Sequence, residues 1–117
     1  MKRFVEVCIY EVKSNKTAAF EELLARVAKH HREFPGVVTA RYIKRTHRQG
    51  GFAAAKKGAP PIQLTRPPKS VTYVLYWELD SAVTHGRATK SGLAKFYKEF
   101  ARCLVAPPKM ILGERIQ

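Results

Sequence analysis

Residues 3–13 constrain the fold of this chain more than any other segment, because they predict a β-strand that is apolar on both faces. A strand places successive side chains on opposite faces, so residues two apart share a face. Three aliphatic residues fall on one face and three aromatic or sulfur-containing residues on the other: Val5, Val7 and Ile9, then Phe4, Cys8 and Tyr10. Since both faces are apolar, we expect both to be covered in the folded protein.

A helix and two further strands follow this segment. Asn15 is the predicted N-cap of the helix, and Pro35-Gly36 is predicted to end it. Between them, apolar residues recur at helical spacing and predict a buried stripe: Phe20, Leu23, Leu24, Val27 and Ala28. Residues 37–45 and 70–79 predict the second and third strands, and the third carries the strongest strand signal in the chain.

The last part of the chain predicts a second helical region and a short strand. Asp80-Ser81 supplies the expected N-cap of a short helix, an interruption is expected near Gly86, and Ser91 can cap the turn that follows. Pro107-Pro108 ends the helix, and residues 110–112 begin the fourth strand. The second apolar stripe has five members: Leu93, Phe96, Tyr97, Phe100 and Leu104.

This order of elements, βαββαβ, predicts an α+β, ferredoxin-like fold with a four-stranded antiparallel sheet and two helices on one face. The length of 117 residues predicts one domain over 1–117. The helices cover one face of the sheet, so a second copy of the chain is the simplest cover for the other face. We therefore expect a homodimer.

Residues 46–70 interrupt this pattern with glycine and proline pairs, and a connection of this length is either functional or disordered. The segment from residue 44 to residue 69 has no acid and contributes seven of the thirteen net positive charges: Lys44, Arg45, Arg48, Lys56, Lys57, Arg66 and Lys69. Three interpretations stay open. The segment can bind a polyanion such as nucleic acid, it can fold over a pocket and attract an anionic substrate, or it can be a solvated insert.

Composition also sets expectations about location and metals. No apolar run approaches the roughly 18 residues that span a bilayer, and the N-terminus lacks the apolar core of a signal peptide. We therefore expect a cytoplasmic protein without a membrane partner. The two cysteines, Cys8 and Cys103, lack the spacing of metal ligands, so reduced, partly buried thiols and no metal site are predicted.

Two stretches resemble the antibiotic-biosynthesis-monooxygenase-like group of the dimeric α+β barrel superfamily. They are residues 34–37 (Phe-Pro-Gly-Val) and residues 74–81 (Val-Leu-Tyr-Trp-Glu-Leu-Asp-Ser), and the element order agrees outside residues 46–70. The resemblance implies two sheets packed face to face as a barrel, with a pocket between sheet and helices in each subunit. Its members include oxygenases that use neither metal nor flavin, haem-degrading enzymes, isomerases and proteins without known activity, so fold does not determine function.

The haem-degrading members use an Asn on the first strand, a Trp at the end of the third strand and a His on the second helix. Trp77 matches the second of these. No Asn occurs in residues 3–13, and His85 lies before the expected interruption at Gly86. One match in three argues against haem degradation.

Trp77 is the first candidate for a ligand pocket, because its ring can stack on a planar aromatic compound, although a Trp in a strand is also a common core residue. His85 and Tyr97 are the candidate catalytic residues, and His85 can act as an acid–base group near neutral pH or lie at the surface. Cys8 and Tyr10 join the pocket if their face of the strand points inward.

The leading hypothesis is a homodimeric enzyme or ligand binder of the monooxygenase-like group. It would act on a small aromatic or polyketide-like compound and need no cofactor. Whether the chain is catalytic stays open; as an enzyme it would be an oxidoreductase. The alternatives are a non-enzymatic polyanion-binding dimer that uses residues 44–69, and a structural or regulatory dimer without a ligand. The adjacent histidines, His30 and His31, are expected on the solvent side of the first helix.

Overall fold

A computed structural model describes residues 2–65 and 69–117 of the chain. The elements in chain order are β1 (Phe4–Lys13), α1 (Thr17–Glu33), β2 (Val37–Lys44), β3 (His47–Arg48), α2 (Phe52–Lys56), β4 (Ile62–Gln63), β5 (Ser70–Leu79), α3 (Ala82–Cys103) and β6 (Lys109–Glu114). Four strands form one antiparallel sheet in the order β2-β5-β1-β6. The predicted α+β fold with a four-stranded antiparallel sheet is confirmed.

Both long helices pack on the same face of this sheet. That face carries Cys8, Tyr10 and Val12 of β1, and these residues share a core with Phe20 of α1 and Phe96 of α3. We call it the covered face, and the opposite face, which carries Val5, Val7 and Ile9, the open face. In a single chain the open-face residues of β1 remain half-buried, because no helix lies over them.

The first helix buries the predicted stripe and extends it by one residue. Its N-cap is Lys16, which makes no side-chain capping bond, so the prediction of Asn15 as the cap is wrong. A 3-10 turn at Ser14–Lys16 takes up Asn15 before the helix begins. His31 is also buried, so its predicted place on the solvent side is wrong. Position 31 follows Val27 by four residues and therefore lies on the same stripe.

A glycine turn ends α1, as predicted, and packs against the start of α3. Gly36 has φ of +92°, a conformation that side chains disfavour. A Cβ at this position would lie 2.7 Å from Cγ2 of Thr84 and 2.9 Å from the carboxylate of Asp80. The backbone N–H of Asp80 donates to the carbonyl of Gly36 at 2.9 Å. This turn holds the end of β5 and the first turn of α3 against the end of α1.

Helix α3, the second of the two predicted helices, is continuous over Ala82–Cys103. The predicted interruption at Gly86 and the predicted cap at Ser91 are therefore wrong. The predicted cap at Ser81 is confirmed, since its hydroxyl accepts from the backbone N–H of Thr84 at 3.1 Å. A glycine inside a helix destabilises it by about 1 kcal/mol, which the buried residues that follow Gly86 in α3 can offset. The Ser91 hydroxyl is instead bonded to Nε2 of His30 at 2.9 Å.

The segment that interrupts the sequence pattern contains short elements of its own. β3 and β4 pair as a two-stranded antiparallel sheet, and α2 lies between them. We call residues 46–70 the insert. It follows β2, which is an edge strand of the main sheet. Arg66 lies outside the described residues. None of the helices in the described ranges is both long and apolar enough to cross a bilayer.

Candidate functional site

A cavity of about 400 Å³ lies between the covered face of the sheet and the two long helices. This volume is within the range of sites that bind small organic molecules, roughly 300–1,000 Å³. The walls are mostly apolar and come from α1, β5 and α3: Val27, Leu75, Leu93, Phe96 and Phe100. Leu104 and Pro107, which follow α3, and Met110 of β6 also line the cavity.

Four of the five predicted site residues line this cavity. Trp77, Cys8 and Tyr10 are buried in its floor, and Tyr97 stands at its rim with 63% of its surface exposed. His85 is not part of the lining; it lies beside Trp77, with the two ring centroids 5.2 Å apart. The alternation of β1 brings Cys8 and Tyr10 inward, because both belong to the covered face.

A second aromatic ring lies against the face of Trp77, and the sequence did not indicate this contact. The His31 ring stacks on Trp77 with a centroid separation of 4.2 Å and an angle of 10° between the planes. Gly92 of α3 permits this arrangement, because a Cβ there would lie 3.0 Å from Nε2 of His31. Burial lowers the pKa of His31 to about 4, and the neighbouring His30 and His85 add to this effect. The imidazole stacked on Trp77 is therefore neutral near pH 7.

Glu6 is the charged residue of the cavity wall, and sequence reasoning did not select it. It lies directly opposite Trp77 on the neighbouring strand and points to the same face. Its Oε1 lies 2.6 Å from Nε2 of His85, and the two side chains are 6% and 14% exposed. The ring of Phe4 packs against His85 at 5.1 Å. A Glu on the same strand face as Cys8 and Tyr10 was a signal that could have revealed this pair.

Three buried polar atoms in or beside the cavity have no hydrogen-bond partner among the described residues: Nε1 of Trp77, Oγ1 of Thr89 and Nδ1 of His31. Trp77, Thr89 and His31 all line the cavity. Buried polar atoms in proteins are nearly always paired, with protein, water or ligand. The indole N–H can only donate, so it suits a carbonyl or phenolate oxygen of a bound compound.

Cys8 and Tyr10 are held in their neutral forms. Burial raises the pKa of the Cys8 thiol to about 11, and the negative charge of Glu6 contributes to the rise. Burial likewise raises the pKa of Tyr10 well above its usual value. The two cysteines are free and buried, and burial also raises the pKa of Cys103. A thiol reacts as its thiolate, so Cys8 acts here as a packing residue.

Metal ligands do not gather in this site. Within residues 2–65 and 69–117, no three His, Cys, Asp or Glu side chains come close enough together to hold a metal ion. The polar groups at the cavity are the Trp77–His31 stack, the Glu6–His85 pair and the unpartnered polar atoms.

The described basic residues between positions 44 and 69 lie apart from the cavity. Lys44 bonds Glu21 at 3.1 Å on the surface, and Lys56 lies 5.8 Å from the ring centroid of Phe52. No described residue of the insert lines the cavity, so the interpretation of a loop that folds over the pocket has no support. Arg66 falls outside the described ranges, and the remaining predicted basic residues are exposed: Arg45, Arg48, Lys57 and Lys69.

Comparisons with known proteins agree with this architecture. No protein-family model matches the sequence, and no curated protein matches it. Solved structures match over nearly the whole chain. Rv0793 from Mycobacterium tuberculosis superposes with a TM-score of 0.71 at 11% identity, covering 98% of this chain and 96% of that one. The chain has the fold of the antibiotic biosynthesis monooxygenase-like proteins.

Two further structures with the monooxygenase-like fold carry names that refer to an activity. A protein from Nitrosomonas europaea, provisionally named an antibiotic biosynthesis monooxygenase, has a TM-score of 0.70 at 16% identity over 97% of this chain and 90% of that chain. SnoaB from Streptomyces nogalater, a cofactor-independent oxygenase, has a TM-score of 0.64 at 18% identity over 100% and 96%. The resemblance drawn from the sequence is thereby confirmed at the level of the fold. At these identities the likeness establishes the fold alone.

Proposed function

We propose that the chain binds a small aromatic or polyketide-like compound in the cavity beside Trp77, and that it acts on this compound as a monooxygenase-like enzyme without metal or flavin. The observation that carries the proposal is an apolar cavity of about 400 Å³ lined by Trp77, whose buried indole N–H has no hydrogen-bond partner among the described residues. The activity stated for SnoaB, a cofactor-independent oxygenase of the same fold, supports the choice of reaction. The open cavity favours this hypothesis over a structural dimer without a ligand.

The chemistry follows from what such a reaction asks of a protein. Oxygenation without a cofactor requires a substrate that can itself hold a negative charge or an unpaired electron. The protein then has to orient the substrate, exclude water and remove a proton. The Trp77–His31 stack offers a flat surface for orientation, and the apolar walls exclude water. Glu6 stands at the same wall as a proton acceptor.

An oxygen electrode tests this function with 1,8-dihydroxyanthrone as the probe substrate and no added metal or flavin. We expect catalysed oxygen uptake by the wild type and a loss of at least about tenfold in kcat/KM in Trp77→Ala, which is a loss of roughly 1.4 kcal/mol of transition-state stabilisation. Phe52→Ala is the matched control, because Phe52 is 80% exposed and lies in the insert. Equal rates in wild type, Trp77→Ala and buffer would remove the proposed activity.

We also propose that a second copy of the chain covers the open face. Apolar side chains cross this face on all four strands, including Val7 on β1, Tyr76 on β5, Ile43 on β2 and Ile111 on β6, and Ile43 and Ile111 are 58% and 65% exposed. A two-fold axis would pack this patch against its own copy, as in most homodimers. Native mass spectrometry of the whole chain tests this, and a monomer at micromolar concentration would contradict it.

The insert supports a second candidate function, binding of single-stranded nucleic acid. The chain has no acidic residue between Glu33 and Glu78, and the exposed ring of Phe52 lies among the lysine and arginine residues of the insert. Exposed aromatic rings within basic surfaces stack on nucleobases. A gel shift with a single-stranded oligonucleotide at low salt tests this function. Retardation should weaken with salt and in the double variant Lys56→Gln/Lys57→Gln, and an absence of retardation removes this candidate.

A further inference from the structure

The described lining of the cavity carries no positive charge near pH 7, although the chain as a whole is strongly basic. The chain has 22 lysine and arginine residues, and none of those that the structure describes lines the cavity. His31 belongs to the lining, but burial lowers its pKa to about 4, so its imidazole is uncharged near pH 7. An anion attracted by the basic surface therefore finds no opposite charge inside the cavity.

Glu6 adds a negative charge to this lining. A carboxylate only accepts, so Nε2 of His85 donates to its Oε1 at 2.6 Å, and this bond stabilises the ionised form. His85 is not part of the lining, so the carboxylate is the charge nearest to a bound compound. Cys8 and Tyr10 stay neutral near pH 7, because burial raises the pKa of both. A second negative charge would lie beside Glu6 in surroundings of low dielectric, where like charges repel strongly.

The uncharged polar groups of the lining suit an oxygen that carries no full charge. The indole N–H of Trp77 and the hydroxyl of Thr89 are buried and have no partner among the described residues. An indole N–H only donates, and a hydroxyl can donate as well. A carbonyl oxygen accepts from such donors without bringing a charge into the cavity. An oxyanion would accept from them too, but it would have to lose its water shell beside Glu6.

We propose that the cavity takes uncharged carbonyl compounds and rejects their anionic analogues, and that Glu6 is the residue that determines this specificity. This inference rests on the proposed function, because it names the substrate class of the same cavity. Trp77 orients the carbonyl group through its N–H, and Glu6 repels a second negative charge. A binding site gains specificity from groups that oppose the wrong ligand as well as from contacts with the right one. The substrate therefore enters as the neutral compound.

The test uses three naphthalene derivatives of nearly the same shape that differ in charge. Near pH 7.5, 2-naphthamide is neutral, 2-naphthoate is an anion and 2-naphthamidine is a cation. Equilibrium dialysis against the whole chain, followed by absorbance, gives the Kd of each compound. We expect the wild type to bind naphthamide at least about tenfold more tightly than naphthoate, a difference of about 1.4 kcal/mol. Naphthamidine should also bind more tightly than naphthoate, because Glu6 attracts a cation, whereas burial alone opposes both ions.

Glu6→Gln removes the charge and keeps the shape of the side chain and an oxygen that accepts from His85. We expect the preference for naphthamide over naphthoate to fall below about threefold in this variant, because naphthoate binds more tightly. The matched control is Glu22→Gln, which removes one negative charge at an exposed position of α1 and should keep the wild-type preference. Circular dichroism confirms that each variant is folded.

Three further variants test the orientation and the place of binding. Trp77→Phe keeps an aromatic ring without the N–H and should weaken naphthamide binding by about threefold or more. Ala101 is exposed and lines the cavity, whereas Ala94 is exposed on the same helix outside the lining. Ala101→Trp should fill the opening and abolish binding of naphthamide, and Ala94→Trp should leave it unchanged. If Ala101→Trp still binds naphthamide as the wild type does, the compound binds elsewhere and the inference fails.

The outcomes separate this inference from the function on which it rests. Equal binding of naphthamide and naphthoate by the wild type overturns the specificity and leaves the cavity as a site for small aromatic compounds. Equal rejection of naphthoate and naphthamidine overturns the role of Glu6, even if a variant does not fold. A preference that persists in Glu6→Gln, or one that Glu22→Gln also removes, overturns that role as well. Absence of naphthamide binding up to millimolar concentration overturns the inference, while oxygen uptake with 1,8-dihydroxyanthrone decides the proposed function independently.

Discussion

The covered face and the open face of the sheet are formed by the same four strands, yet they differ in how completely one chain can bury them. On the covered face, Tyr73, Leu75 and Leu79 are at most 2% exposed. On the open face, Ile43 and Ile111 are more than half exposed. The difference shows that one face stabilises the single chain, while the other stays partly uncovered in it.

The covered face is itself divided into a filled part and a hollow part. Phe20 fills the first part by packing against Tyr10, Tyr73 and Phe100 within 6 Å of ring centroid separation. The hollow part lies around Trp77, where the cavity and the polar side chains are found. The site is therefore placed inside the layer that stabilises the fold, so its mutations have to be separated from effects on stability.

Phe20→Ala should show the largest effect, because Phe20 is fully buried in the filled part of the covered face. We expect the free energy of unfolding to fall by about 3–5 kcal/mol, as for other buried Phe to Ala changes. Urea titration followed by circular dichroism measures it. Phe52→Ala is the matched control and should change stability by less than about 0.5 kcal/mol. Similar losses in the two variants would mean that the covered face is not the main source of stability.

Acid should destabilise the protein through His31, whose folded pKa is lowered to about 4. The unfolded chain takes up a proton on this residue below about pH 6.5, whereas the folded chain keeps it neutral until about pH 4. Stability is therefore lost as pH falls through this window. Between pH 7 and pH 4.5 the contribution of His31 is about 2–3 kcal/mol.

His31→Gln should remove this part of the acid sensitivity, as measured by urea titrations at pH 7 and pH 4.5. The matched control is His47→Gln, because His47 is exposed on β3 and is not among the groups that lower the pKa of His31. This control should keep the wild-type difference between the two pH values. If both variants respond to acid as the wild type does, His31 is not held neutral by the fold.

The periodic elements of the covered face could be predicted from the sequence because burial imposes their spacing. Strands β1 and β5 and the stripe of α1 needed only the pattern of apolar residues. His31 lies on that stripe, but a histidine is polar, so we predicted that it would be exposed to solvent. Its burial goes with the stack on Trp77, a contact that the sequence pattern does not report. The continuity of α3 across Gly86 likewise depends on tertiary packing, which outweighs the local preference of glycine.

The site was predictable only in part, since its decisive contacts join distant elements. Strand alternation places Cys8 and Tyr10 on one face of β1, but because both faces are apolar it does not say which face lies under the helices. The bond between Glu6 and His85 joins residues 79 positions apart and depends on how α3 lies across β1. No local pattern reports such a contact. The short elements of the insert contain two to five residues each, which is too few for a periodic signal.

Gly92→Ala should have a smaller effect, because it crowds the hollow part of the covered face without emptying the filled part. A Cβ at position 92 would lie 3.0 Å from Nε2 of His31. We expect a loss of about 1–2 kcal/mol and a shift in Trp77 emission as His31 moves off the indole. Gly86→Ala is the matched control, since a Cβ there meets nothing within 4 Å, and it should stabilise α3 by about 0.5–1 kcal/mol. If the two variants change stability and Trp77 emission by the same amounts, the added Cβ at position 92 does not disturb the stack of His31 on Trp77.

Val7→Lys should have the smallest effect on the stability of the single chain, and it should prevent the proposed association with a second copy. Val7 belongs to the open face, so the new charge enters the proposed dimer contact and leaves the covered face unchanged. We expect the mass in solution to fall from that of two chains to that of one, measured by light scattering. Emission of Trp77 should stay at the wild-type wavelength. Val83→Lys is the control, because Val83 is 64% exposed on α3, and it should leave the mass unchanged.

This last pair of variants separates the two faces most directly. If Val7→Lys lowers the mass and also shifts the emission of Trp77, the faces are coupled, and the cavity depends on the second copy for its shape. If the mass falls and the emission stays, the cavity is complete within one chain. In that second case the open face contributes to assembly alone, and the proposed oxygen uptake with 1,8-dihydroxyanthrone should persist in the monomer, because the residues that line the cavity belong to the covered face, to α1 and α3, or to the turn after α3.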